Sequence, residues 1–274
     1  GIVRYVGSDI PAAQAAFIRY VIGLGLMLPF MGVVFRSGFQ KPLLGIFALR
    51  GFCHALGVML WFYAMARIPM AEVTAIGYMS PIYIAIGAAV FLGEKLAARR
   101  IAAIVAAFAG AMIILRPGFQ EISNGQMAQV ISAPLFAVSY LVAKRLTMQI
   151  SPTVVVGMLS LFVTIFLAPM AWSVWIVPKP SDVMWLGLVA VFATTGHFTM
   201  TKALHAAPLA VTQPITFLQL VWAAIMGAVV FGEAVDFWVL LGGGVIIASV
   251  SFISYREWVL SRRNHTPPAM AVKS

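Results

Sequence analysis

Long apolar runs follow one another from end to end of the chain, separated by short polar, turn-like connections. A bilayer core takes about 20 apolar residues in helical form. Nine segments fit that length: residues 12–34, 43–65, 70–92, 98–115, 125–143, 153–177, 183–201, 208–231 and 237–254. Connections such as Arg36 to Pro42, Arg116-Pro117-Gly118 and Pro178 to Pro180 read as turns. Two of the spans are interrupted by charge, at Arg19 and Arg50.

Composition turns this pattern into a class. Of 274 residues, 62% are hydrophobic and 9% charged, with a mean hydropathy of +0.99. That leaves too little polar surface to cover a globule of this size in water, so a polytopic membrane protein is expected. No n-region, h-region and cleavage-site pattern marks a signal peptide. Cys53 is the only cysteine, which excludes an intramolecular disulfide and a cysteine-rich metal site. The net charge of +10 comes from Lys and Arg scattered singly between apolar runs, so topology explains it better than nucleic acid does. Of the 18 basic residues, twelve, including Lys144, Arg145 and those of the tail, fall on one side. Arg4, Arg67, Arg116 and Lys179 fall on the other. Cytoplasmic loops are enriched in Lys and Arg, so the majority side, with the C-terminus, is expected in the cytoplasm.

The chain also repeats itself. Shifted by 139 residues, "ARIPMAEVTAIGYMSPIYIAIGAAVFLGE" lies over "HAAPLAVTQPITFLQLVWAAIMGAVVFGE" without a gap, placing Pro69 on Pro208 and Gly93-Glu94 on Gly232-Glu233. Gly57 meets Gly196 at the same offset. At an offset of 141, Arg4 meets Arg145 and Pro11 meets Pro152, so the counterpart of span 125–143 would precede Gly1. Each unit then has five spans, and an odd number inverts the second copy relative to the first. The expected organisation is an all-α polytopic protein of two inverted five-helix repeats, ten transmembrane helices when intact, with the first helix largely missing from this sequence. The expected divisions are 1–118, 119–257 and a cytoplasmic tail, 258–274, expected to be disordered.

This pattern resembles the drug/metabolite transporter superfamily, in particular its EamA-type branch. The resemblance is carried by "AAFIRYVIGLGLMLP", "ALRGF", "YAMARIPMAEVTAIGYMSPIYIAI", "FLGEKL" and the second-copy "KALHAAPLAVTQPI…FGE". It implies alternating-access movement of a small metabolite across the inner membrane, through a central cavity between the repeats. Members similar to this chain take up cofactor-like metabolites such as S-adenosylmethionine or riboflavin, and the same branch contains amino-acid and drug exporters. The resemblance implies a transporter and not an enzyme, with no cofactor. The expected partners are a small-molecule substrate, the lipid bilayer and, as an option, a second copy in a homodimer; nucleic acid is not among them.

Polar groups inside spans need partners, water or a function. Arg19 and Arg50 either attract an anionic group in the cavity or snorkel toward the headgroups. His54 and His197 lie near the paired Gly57 and Gly196, where small residues permit close helix approach; an imidazole there binds substrate, carries a proton or bonds a neighbouring helix. "EVTAIGYMSP" carries Glu72, Thr74, Tyr78 and Ser80 before Pro81, and "VTQPITFLQLVW" carries Gln213, Thr216, Gln219 and Trp222 around Pro214. Prolines that interrupt matching helices of two repeats point to a transporter's site. Gln213, Thr216 and Gln219 recur every three residues, near one helix face. The alternative for each is helix packing. Trp61, Gln129 and Tyr140 add stacking and hydrogen-bonding candidates, with interfacial anchoring as the other reading of the aromatics. Glu72 and His197 are the candidates for proton coupling. Glu72 is the one acid inside a span, and it sits in a first turn where it also complements the helix N-terminus. Glu94 and Glu233 read as structural helix-end residues.

An integral-membrane enzyme or a lipid scramblase is the rival class. The former needs grouped acids or histidines, whereas His54, His197, His205 and His265 are dispersed. No Gly-x-x-x-x-Gly-Lys element cradles phosphate, and "LGGGV" reads as close packing inside a span.

Overall fold

The computed structural model describes residues 1–7, 9–36, 41–92, 98–119, 121–147, 149–206 and 209–264. Within these, the side chains at 30–31, 33–36, 41–42, 88, 91–92, 100, 201, 203–206, 209–217, 257 and 260–264 are outside the description. Glu94 and His265 therefore lie outside the described residues, as does the side chain of His205.

The described chain is a helical bundle. Its elements are α1 (Ile2–Val6), α2 (Ala12–Arg36), α3 (Lys41–Arg67), α4 (Met70–Gly77), α5 (Ser80–Leu92), α6 (Ala98–Leu115), α7 (Asn124–Thr147), α8 (Pro152–Ser173), α9 (Pro180–Ala206), α10 (Leu209–Phe231) and α11 (Phe237–Asn264). Six of the described helices are long and apolar enough to cross a membrane, and Ile101–Leu115 and Leu218–Phe231 are shorter apolar helices. Each helix satisfies its own backbone, which is what a bilayer demands of a spanning segment. With α4 and α5 counted as one leg, the bundle has ten, the five-residue α1 included.

Proline places the main irregularity. Pro81 has no N–H to offer the carbonyl of Gly77, so the helix that starts at Met70 stops at Gly77 and restarts at Ser80. Tyr78 and Met79 turn tightly between them, Met79 N–H donating to Ile76 O at 3.0 Å. The repeat-related α10 runs continuously from Leu209 to Phe231 through Pro214. The interruption expected in both repeats occurs in the first. α11 continues to Asn264, so the first residues of the expected tail are helical and 265–274 fall outside the described residues.

Packing follows a pseudo-twofold arrangement. α1 to α6 match α7 to α11 in order, with α4 and α5 together answering α10. Under that exchange, the contact of α3 with α7 becomes that of α9 with α1, and both occur. The contact of α3 with α8 becomes that of α9 with α2, and both occur. The pairs α2–α8, α4–α10 and α6–α11 map onto themselves and form the seam between the halves. At the α6–α11 crossing, a Cβ on Gly242 would lie 2.5 Å from the carbonyl oxygen of Gly110. "LGGGV" thus serves close packing. Gly57 also permits close approach, a Cβ there meeting Phe136 at 3.2 Å, whereas Gly196 has open space around it.

The apolar core is divided. One cluster, with Ala16, Ala55, Phe62, Leu159 and Val163, joins α2, α3 and α8. Another, with Ile76, Ile82, Ile114 and Ile246, joins α4, α5, α6 and α11.

Candidate functional site

A cavity of about 520 Å³ opens between the halves, lined from α2, α3, α7, α8, α9 and α10. α7 contributes Phe136, Ser139, Tyr140, Ala143, Lys144 and Thr147, a spacing of three and four residues that keeps one helix face toward the cavity. α3 contributes Arg50, His54, Val58 and Trp61 on the same principle. At one end the cavity reaches the exposed Lys144.

His54 lies at the centre of its polar lining. It is buried, its Nδ1 lies 3.1 Å from Ser139 Oγ, and its ring packs edge-on against Phe136 at 5.1 Å and His197 at 5.7 Å. One imidazole thus ties α3 to α7 and α9. Arg50 is 7% exposed. Its Nη1 donates to the carbonyl oxygen of Val155 at 2.8 Å, and its Nε has no hydrogen-bond partner among the described residues. The Arg19 guanidinium lies 4.0 Å over the ring of Tyr20, whose buried hydroxyl is also unpartnered among the described residues. Among the described residues, no Asp or Glu lines this cavity. Guanidinium groups at this depth are costly to desolvate, and one carbonyl and one aromatic face offset only part of that cost.

At the opposite end of the bundle, carboxylates bind across elements. Gly232 adopts a φ of 64°, a conformation costly for residues with a Cβ, and turns the chain so that Glu233 N–H donates to Gly227 O at 2.9 Å. The Glu233 carboxylate then reaches the first repeat. Its Oε2 accepts from Met70 N–H at 2.9 Å, a free donor at the start of α4. Its Oε1 lies 3.1 Å from Arg4 Nη2. Arg4 Nη1 in turn donates to Met65 O and Ile68 O at 3.1 and 3.0 Å. Beside this pair, Gln126 Nε2 donates to Glu72 Oε1, and Arg116 pairs with Asp236 at 2.5 Å.

The structure brings Arg19, His54, Trp61, Tyr140, His197 and Gln219 together on the cavity wall. Four other candidates lie elsewhere. Tyr78 sits in the α4–α5 break and packs in the cluster shared with α6 and α11. Gln129 is buried under Gly77, whose added Cβ would meet its Nε2 at 3.2 Å. Trp222 is 65% exposed on the outside of the bundle. Glu72 is held by Gln126 at the Glu233 end. Gln213 and Thr216 lie on α10 with their side chains outside the described residues. Sequence reasoning missed Tyr20, Ser139, Lys144 and Thr147 as lining residues and left Arg50 undecided. The Phe136-to-Thr147 stripe was the available signal, hidden because Lys144 reads as an ordinary loop charge.

Two pseudo-symmetric halves around a cavity at mid-bundle define the class: a multi-pass membrane protein with the architecture of a secondary transporter. The chain belongs to the EamA-like transporter family, whose sequence pattern matches residues 2–116 and again 124–255. It is 30% identical over 258 residues to a riboflavin transporter of Vibrio cholerae, covering 93% of this chain and 86% of that one. It is 24% identical over 257 residues to an S-adenosylmethionine uptake transporter of Rickettsia bellii, covering 93% and 87%. A pseudopaline exporter of Pseudomonas aeruginosa is 26% identical over 259 residues, covering 92% and 89%. A solved crystal structure shares the fold with a TM-score of 0.62 at 16% identity, over 96% of this chain and 93% of that one. The protein is a transporter with a small-molecule substrate, not an enzyme.

Proposed function

We propose that the chain moves a small cofactor-like metabolite across the bacterial inner membrane by alternating access. The two repeats, 1–118 and 119–257, rock about the cavity between them, and the Lys144 end and the tail of α11 face the cytoplasm. The observation that carries this reading is a cavity shared by both repeats, reaching the surface at Lys144, while at the far end Arg4 and Glu233 pair across the two repeats. A wall that belongs to both halves changes its exposure when they move against each other. The volume of about 520 Å³ suits a metabolite of riboflavin or S-adenosylmethionine size, and relatives bearing those names support the substrate range. The resemblance to an exporter favours, as a second reading, outward movement through the same cavity. Glu72 does not line the cavity, which leaves the imidazole of His197, beside His54, as the group for any coupled proton.

The test is counterflow in proteoliposomes loaded with unlabelled riboflavin, S-adenosylmethionine or amino acids. At least one labelled compound is expected to exchange above empty vesicles, and His197→Ala to slow that exchange about tenfold. No exchange of any compound would sink the reading.

A further inference from the structure

We infer that the cavity selects organic anions: the preferred substrate carries a carboxylate or phosphate that docks against Arg50 and Arg19, with its less polar body along the aromatic wall. This rests on the transport reading above and deepens it by charge.

Arg19, Arg50 and Lys144 line one cavity, and among the described residues no Asp or Glu lines it with them. Arg50 is more than nine-tenths buried, yet its Nε has no hydrogen-bond partner among the described residues. The Tyr20 hydroxyl, buried on the same wall, also lacks one. Arg19 is 5% exposed, and its guanidinium lies over the ring of Tyr20. Arg4, Arg116 and Lys179, by contrast, each have a carboxylate within 3.2 Å, and Arg67, which lies over the Tyr63 ring, is exposed to solvent.

A buried guanidinium without a counter-ion is among the most costly arrangements a protein can keep. A bound anion removes that cost and satisfies the open donors, with the two-pronged geometry that guanidinium offers to carboxylate and phosphate. A neutral flavin supplies no such charge, and the carboxylate of S-adenosylmethionine comes with two cationic groups that the same guanidinium groups repel. The aromatic members Trp61, Phe62, Phe136 and Tyr140 give the rest of the substrate a flat, largely apolar surface.

Matched pairs test this with the full chain in proteoliposomes. Riboflavin and riboflavin 5′-phosphate differ by one phosphate, and nicotinamide and nicotinate differ by one carboxylate. In at least one pair the anionic member is expected to be taken up at least about tenfold faster, the worth of a charge-assisted hydrogen bond in this setting. Whichever pair responds separates phosphate from carboxylate. Arg50→Gln should reduce that preference to within about twofold, and Arg50→Lys should retain part of it. Because Arg50→Gln also loses its bond to Val155 and is at risk of misfolding, Arg19→Gln gives a second reading of the same preference. Uptake of neutral or cationic compounds with both anions excluded overturns the charge assignment while transport itself stands. A preference unchanged by Arg50→Gln and by Arg19→Gln also overturns it. No uptake of any compound overturns the transport reading, and this inference with it.

Discussion

The two ends of the bundle treat charge in opposite ways. At the Glu233 end, cations meet carboxylates across elements: Arg4 with Glu233, Arg116 with Asp236, Lys179 with Asp9. Toward the Lys144 end, three cations share one cavity and no acid among the described residues lines it. The contrast teaches what each set of charges is for. Paired charges contribute little net stability once desolvation is counted, but they are discrete, reversible contacts, suited to holding two halves in one of two positions. Cations kept without partners are costly, and they are retained where something that arrives later completes them.

Breaking Glu233 should have the largest effect. Glu233→Gln keeps the shape but leaves Arg4 facing a neutral amide, and both side chains are largely buried, at 10% and 21% exposure. Losing one partner of such a pair costs about 2–3 kcal/mol, below the fully buried range because Arg4 is partly wetted. The readout that separates a gate from a mere brace is access. With Cys53→Ala as background, Val58→Cys places a thiol on the cavity wall. A membrane-impermeant thiol reagent should label it from the Lys144 side only. In Glu233→Gln, labelling from the Glu233 side should rise about tenfold. Equal labelling from that side before and after the substitution would show that Glu233 gates nothing.

How much of this contrast the sequence carries depends on the end. The spans were legible because hydropathy and length are local: 98–115 coincides with α6, and 12–34 lies within α2. The repeat was legible through its prolines and Gly-Glu pairs. The ion pairs were not, because Arg4 and Glu233 are brought together by the inverted packing of two halves, which no local pattern encodes; Glu233 read as a helix-end residue and became an inter-repeat contact. The cavity was half legible. Span 125–143 ended where hydropathy fell, but backbone hydrogen bonding carries α7 on to Thr147. That last turn is the one that brings Lys144 and Thr147 to the cavity mouth. Tyr78 was chosen for its place beside Pro81, and the same proline turned it into the core with α6 and α11.

Gly227 offers a smaller and more selective disturbance of the closed end. A Cβ at this position would collide with the Glu233 carboxylate, its nearest neighbour there. Gly227→Ala should therefore lose about 1 kcal/mol: the displaced ion pair costs about 1–3 kcal/mol, and removing a helical glycine returns about 0.5–1 kcal/mol. Thermal unfolding in detergent measures the sum. In a Glu233→Ala background the obstacle is gone, so Gly227→Ala should become neutral or stabilising. Additive losses in the double variant would place the cost of Gly227→Ala somewhere other than Glu233.

The smallest effects should come from two exposed lysines, one at each end of the bundle. Lys179 bonds Asp9 at 3.2 Å, but the two side chains are 70% and 52% exposed. An ion pair so wetted is worth less than about 0.5 kcal/mol, so Lys179→Ala should leave stability and uptake unchanged within error. Lys144 is also exposed, yet it lines the cavity mouth. A positive charge there raises the local concentration of an anionic substrate without holding it, an effect that salt screens over about 8–10 Å. Lys144→Ala should therefore raise the KM for the anionic member of a responding pair about two- to threefold at low ionic strength, leave kcat alone, and converge with the wild type in about 0.5 M salt, where the screening length is shorter still. If Lys179→Ala produces the same salt-dependent shift, the two ends attract substrate alike, and the cavity's unpaired cations are not what distinguishes them.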